Sequence, residues 1–116
     1  MNALNNLAGT LVPVKVCSLD DLIPGIGVGA LVNGRQVAVF RLRNDDIVAV
    51  SNYDPFSGAN VLSRGLTGCL KGSKVVTSPI YKQHYDLMTG VCLEDPAVRI
   101  PVYAVRVENN MVSVLL

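Results

Sequence analysis

Apolar and polar residues along this chain follow a period of two far more often than a period near 3.6. Val12, Val14 and Val16 alternate with Pro13, Lys15 and Cys17, the pattern of a half-buried strand. "GALVNGRQVAVFRL" is two apolar runs around Asn33-Gly34, a strong hairpin signal because both central residues of a type I′ turn need positive φ. Asn44-Asp45-Asp46 then turns the chain into "IVAVS", so strands are predicted near 26–32, 35–42 and 46–51 as a meander.

Further on, "LTGCL" and "SKVVTS" flank Lys71-Gly72 as a second hairpin, and the run from Val102 to Val107 turns at Asn109-Asn110 into a last strand, Met111 to Leu115. Pro101 suits a strand start or an edge. Helix is signalled only in "SLDDLIPGIG", where Ser18 can cap one turn through Leu22 before Pro24 and Gly25 end it. Short strands with tight turns and little helix predict an all-β, antiparallel sandwich or barrel.

Two connections are too long to be turns. "SNYDPFSGANVLSRG" (51–65) and "SPIYKQHYDLMTG" (78–90) each leave a hairpin strand, so both can lie at one tip, stiffened by proline beside polar side chains. At 116 residues the chain fits one domain with one core, and residues 1–10 read as a flexible N-terminus. Half the residues are hydrophobic, 16% are charged, and Lys+Arg 10 stands against Asp+Glu 9, which argues against disorder and against a nucleic-acid surface. A mean hydropathy of +0.39 fits either a generously packed core or a face that another protein covers. "MNALNNLAGT" lacks a basic region and a sustained apolar stretch, and no apolar run nears the roughly 20 residues of a membrane span, so a cytoplasmic location is expected.

Catalytic motifs are missing. His84 beside Ser78 has no orienting partner in view beyond Asp86, and no GxGxxG or P-loop opens a βαβ unit. Cys17, Cys69 and Cys92 are widely spaced without a CxxC and are read as small buried hydrophobes, with a Cys69–Cys92 disulfide left open as a minor alternative.

The second loop and its exit, "SPIYKQHYDLMTG" then "VCLEDP", resemble the Rieske ferredoxin pattern Cys-Pro-x-His-Gly-Trp-x-Phe-Asp-x-x-x-Gly, with Pro79, Tyr85, Asp86 and Gly90 matching. The first loop resembles the Rieske Cys-x-His stretch that ends in Gly-Ala, here Gly58-Ala59. The four ligand positions of that pattern fall on Asn52, Asp54, Ser78 and Tyr81. A Rieske centre takes two thiolates on one iron and two imidazoles on the other. An amide, a carboxylate, a hydroxyl and a phenol do not replace them, so a Rieske-like sandwich with no cluster is expected.

With "NYDPFSGANVLSRG", "CLEDP" and "PVYAVRV" included, the chain resembles the small subunit of assimilatory, cytoplasmic NAD(P)H-dependent nitrite reductases. That resemblance implies a part in reducing nitrite to ammonium. It also implies a large partner subunit holding FAD, an iron–sulfur cluster and sirohaem, with no cofactor on this chain. The alternative of another class is a Rieske-type ferredoxin or oxygenase electron carrier, which would need a cluster.

Asp54 and Tyr81 could offer oxygen ligands to a hard cation, but a single carboxylate is a poor set. Asp54 is better read as accepting hydrogen bonds from its own loop and from Ser78 or Tyr81 across the gap, a clasp in place of a cluster. Tyr53, Phe56, Lys82, Gln83 and His84 are candidate docking residues for the large subunit, although Tyr53 and Phe56 would equally suit an inward-folded pin. Tyr85 is assigned to the core with its phenol at the rim, Asp86 to a turn, and Arg64, Lys71, Lys74 and Lys82 to solvated surface.

Overall fold

The computed structural model describes residues 11–116; the expectation for residues 1–10 lies outside them. Eleven strands follow in order: β1 (Pro13–Ser18), β2 (Val28–Val32), β3 (Arg35–Arg41), β4 (Ile47–Ser51), β5 (Tyr53–Asp54), β6 (Ala59–Asn60), β7 (Leu66–Leu70), β8 (Ser73–Thr77), β9 (His84–Asp86), β10 (Val102–Glu108) and β11 (Met111–Leu115). One sheet has the order β1-β11-β10-β4-β3-β2, a second β7-β8-β9, and β5 pairs with β6 alone. All named pairs are antiparallel.

The tight hairpins come from residues that tolerate a left-handed backbone. Asn33 and Gly34 (φ 49 and 79) join Val32 to its partner Arg35, Lys71 and Gly72 (51 and 80) join Leu70 to Ser73, and Asn109 and Asn110 (51 and 63) join Glu108 to Met111. These are the I′-type turns whose twist matches the flanking strands. The single helical turn is a 3₁₀ segment, Leu19–Asp21: Ser18 Oγ accepts from the Asp20 amide, and Asp21 Oδ2 accepts from the Ser18 amide.

Strand β3 is buried on both faces, which is why it reads as an apolar run. Ala38 and Phe40 join Val48, Val50, Leu62, Val76, Tyr85, Leu87, Cys92 and Ile100 in a core between the two sheets. Val37 and Val39 face the other way, onto Leu22, Val32, Ala49, Val112 and Val114, with Val14 and Val16 of β1 packed against them. Edge strands β1 and β2 approach one another, so the large sheet curls around this second core. Full burial of a side chain such as Phe40 stabilises by about 2–3 kcal/mol, and Phe40→Ala would cost about 3–5 kcal/mol.

Two expectations are corrected. Cys69 is exposed, because β7 is an outer strand and position 69 lies on its open surface, whereas Cys92 is buried and Cys17 partly so; all three are free thiols. The first long connection is also more ordered than a loop, containing β5, β6 and a 3₁₀ turn, Leu62–Arg64. Among the described residues no helix is long and apolar enough to cross a membrane.

Candidate functional site

Asp54 begins a tight reversal in which Pro55 stiffens the chain and Gly58, at φ 70, donates its amide to the Asp54 carbonyl at 2.8 Å. The carboxylate folds back on its own loop: Oδ1 accepts from the Phe56 amide at 3.1 Å and Oδ2 from Ser57 Oγ at 3.0 Å. This is the Asx geometry that makes Asp a turn former. Asn52 closes the loop's base, its Oδ1 accepting from the Ser63 amide at 2.7 Å and its Nδ2 donating to the Asn60 carbonyl at 3.4 Å.

The second loop meets the first at the same carboxylate. Ser78 Oγ donates to Asp54 Oδ2 at 2.6 Å while accepting from the Ile80 amide at 3.3 Å. The Tyr85 hydroxyl donates to Asp54 Oδ1 at 2.8 Å. Lys82, at φ 66, returns its amide to the Ser78 carbonyl, and the Ser78 amide donates to Gln83. Asp86 forms the following turn, its Oδ1 accepting from the Met88 and Thr89 amides, with Gly90 donating to its carbonyl. Gly90 must be glycine: at φ 81, an added Cβ would stand 2.0 Å from the Ile100 carbonyl oxygen.

Four donors thus converge on one fully buried carboxylate. Burial pushes the Asp54 pKa up, but the bonds from Ser78, Tyr85, the Phe56 amide and Ser57 outweigh it and hold the group below the usual carboxylate range. Burial first, then the bond to anionic Asp54, raises Tyr85 far above an ordinary phenol. The pair is therefore a neutral phenol against a carboxylate, a charge-assisted hydrogen bond that both titrations resist losing.

Of the four ligand positions, Asn52, Asp54 and Ser78 are buried near one another, but Tyr81 is 61% exposed and does not join them. The cross-loop partners of Asp54 are Ser78 and Tyr85, not Tyr81. Tyr85 is wholly buried, so its phenol is not at the rim; Asp54 supplies the acceptor that lets a hydroxyl go that deep. Tyr53 and Phe56 point outward, at 46% and 38% exposure, and Ile80, which the sequence reading did not single out, is 48% exposed beside Tyr81. Lys82 is exposed, and half-buried Gln83 has an Oε1 without a hydrogen-bond partner among the described residues. His84 has an orienting partner after all, and it is not Asp86: Glu94 Oε2 lies 2.6 Å from Nδ1, and Oε1 accepts the His84 amide at 2.7 Å. Only the folding of "CLEDP" against β9 brings Glu94 there.

The donor chemistry does not fit an iron–sulfur cluster. The positions present no thiolate and no imidazole, and the one anionic oxygen donor is saturated by protein hydrogen bonds. Among the described residues no group of three or more His, Cys, Asp or Glu side chains is placed to hold a metal ion. What the arrangement does offer is a rigid tip, uncharged from Ser51 to Ser63 apart from buried Asp54, with Tyr53, Phe56, Ile80 and Tyr81 on its surface. Depleted charge with exposed aromatics is the composition of an interface core.

The Rieske-like [2Fe-2S] domain family matches residues 13–115. A nitrite reductase (NADH) small subunit from Salmonella typhimurium is 44% identical over 100 residues, covering 85% of this chain and 93% of that one. A solution structure of the nitrite reductase NAD(P)H small subunit from Erwinia carotovora superposes with a TM-score of 0.77 at 47% identity, covering 90% of this chain and 81% of that one. A nitrite reductase NAD(P)H large subunit from Klebsiella oxytoca contains a 40% identical stretch of 99 residues, 85% of this chain but 10% of that polypeptide.

Proposed function

The chain belongs to the nitrite reductase small-subunit family within the Rieske-like domains, and on that premise we propose that it is a cluster-free accessory subunit of an NAD(P)H-dependent nitrite reductase, docking by its loop tip on a large catalytic subunit. The observation that carries this is the saturated Asp54 carboxylate standing where the family pattern has a ligand. A hydrogen-bonded clasp does mechanically what a cluster would otherwise do: it ties the two loops together. It gives no route for an electron. The flavin, iron–sulfur cluster and sirohaem of nitrite reduction would then belong to the partner.

The large subunit is the favoured partner because a homologous stretch occurs within a large-subunit polypeptide of Klebsiella oxytoca, where the two are covalently joined. Tyr53, Phe56, Ile80 and Tyr81 form the apolar centre of the docking surface, with Lys82, Gln83 and His84 at its border. The test is to purify the large subunit with and without this chain and follow NAD(P)H-dependent nitrite reduction and co-elution on a sizing column. Co-elution, with activity or stability lowered when the chain is removed and with Phe56→Asp, supports the reading. Failure of the two chains to co-elute under any condition overturns it.

A further inference from the structure

The three-stranded sheet stops at β7, and the edge it leaves is unusual. Lys71 and Gly72 form a two-residue turn, so Leu70 and Ser73 exchange both ladder hydrogen bonds and the pattern alternates back along the strand. Gly68 and Leu66 therefore bond to β8, while Thr67, opposite Val76, and Cys69, opposite Lys74, turn both backbone groups away from it. The far side of β8 confirms the phase: the Lys74 carbonyl accepts from the Leu87 amide at 2.8 Å, toward β9. Among the described residues the outward N–H and C=O groups of Thr67 and Cys69 have no partner.

Natural edge strands are usually blunted by lysine, proline or a bulge. "GLTGCL" has none of these, and Leu66 at its start is 76% exposed. Positive charge lies beside the strand instead, at its start and along its second half. Arg64 and Lys82 border a cleft of about 230 Å³ beside Leu66, and Arg43 and Lys74 border one of about 240 Å³ beside Thr67 and Cys69. Among the described residues Arg43, Arg64 and Lys82 form no ion pair, and Lys74 forms only an exposed one with Asp46 at 3.4 Å.

We propose that the open edge of β7 accepts an extended segment of the large subunit as a fourth strand, with an apolar residue against Leu66 and carboxylates toward the two cation pairs. The identity of the partner rests on the reading above; the edge and its chemistry do not. Thr67 and Cys69 supply two donors and two acceptors in strand register, Leu66 supplies apolar contact, and the two cation pairs receive carboxylates. A second copy of this chain is the wrong occupant. In either strand direction its β7 would bring cation pairs against cation pairs, and like charges across an interface reject a partner.

The test is amide hydrogen exchange at Thr67 and Cys69 in the full chain, alone and with the large subunit, together with the affinity of two variants. Thr67→Pro removes an outward donor without touching the β8 ladder, and Arg43→Glu with Arg64→Glu reverses one cation of each pair without touching the backbone or the docking residues of the tip. Both amides should exchange fast in the free chain and slowly in the complex. Each variant should bind at least about tenfold more weakly, and the charge variant's deficit should shrink with salt. If Thr67→Pro fails to fold, the charge variant and the parent's exchange decide. A complex that forms with both amides still fast and both variants at parental affinity overturns the edge proposal alone. Protection already present in the free chain means that the chain's own residues cover the edge, and protection that grows with concentration means a second copy; either overturns it. No complex at all removes the large-subunit reading, and this proposal with it.

Discussion

The Tyr85 hydroxyl donates a 2.8 Å hydrogen bond to Asp54 Oδ1, joining the core side of one loop to the heart of the other across 31 positions of sequence. Both residues are fully buried, and the same carboxylate takes Ser78 from the second loop. Removing it strands Tyr85, Ser78 and Ser57 hydroxyls without their acceptor, and unpaired buried polar groups cost more than a made bond yields. Asp54→Ala should destabilise by about 3 kcal/mol, read from the denaturant midpoint, with faster amide exchange in residues 52–60 and 78–86. Unchanged exchange in both segments would show that the clasp holds nothing.

The clasp also sets a pH window with a limit on each side. Asp54 is depressed in the fold, so its contribution is complete above the unfolded value of 3.8 and is lost as pH falls below that toward the folded value. Tyr85 is raised, so its contribution is complete below 10.0 and is lost as pH rises past it. Urea midpoints should therefore fall at both extremes. Tyr85 should ionise only as the chain unfolds, giving a late step in tyrosinate absorbance that coincides with loss of structure and is missing in Tyr85→Phe.

Lys82 occupies a left-handed backbone, φ 66, at a position where the Rieske pattern carries glycine. A side chain there costs about 1 kcal/mol. Lys82→Gly should leave the fold as stable or make it more so by up to about 1 kcal/mol, while weakening the complex with the large subunit. Stability and binding moving in opposite directions would mark a residue retained for its charge; a loss of stability would contradict that.

Glu94 accepts both the backbone and the ring nitrogen of His84. Burial pushes the Glu94 pKa up, but the bonds from the His84 amide and ring together outweigh it, so the net effect is a depressed carboxylate whose contribution fades as pH falls through its folded value. The pair is partly exposed, at 29% and 45%, which limits its worth. Glu94→Ala should cost no more than about 1 kcal/mol and leave exchange at Asp54 and Ser78 unchanged. A larger loss reaching those residues would tie the pair to the clasp.

Much of the architecture was legible from local chemistry. Asn33-Gly34, Lys71-Gly72 and Asn109-Asn110 each mark a turn because both positions need positive φ, and alternation of Val12, Val14 and Val16 marks a half-buried strand. Pairing of β1 with β11 was not legible, since it depends on register between residues about a chain length apart, including a shift between Lys15 and Cys17. The site divided the same way. Asp54 and Ser78 could be named from spacing, but that Tyr85 and not Tyr81 completes the clasp is set by the path of the second loop, which leaves Tyr81 exposed just before the left-handed Lys82. Period alone put Tyr85 in the core, but only the tertiary fold shows its hydroxyl reaching a buried carboxylate. The exposure of Cys69 and the reach of Glu94 to His84 likewise belong to sheet order and chain return.

Iron and acid-labile sulfide analysis of the chain purified without oxygen, beside its visible spectrum, decides whether a protein clasp stands in place of a cluster. The protein should be colourless with neither element above trace, and its Asp54→Ala variant should stay colourless while its loops loosen. A brown protein with stoichiometric iron and sulfide would contradict it and restore an electron-carrying role.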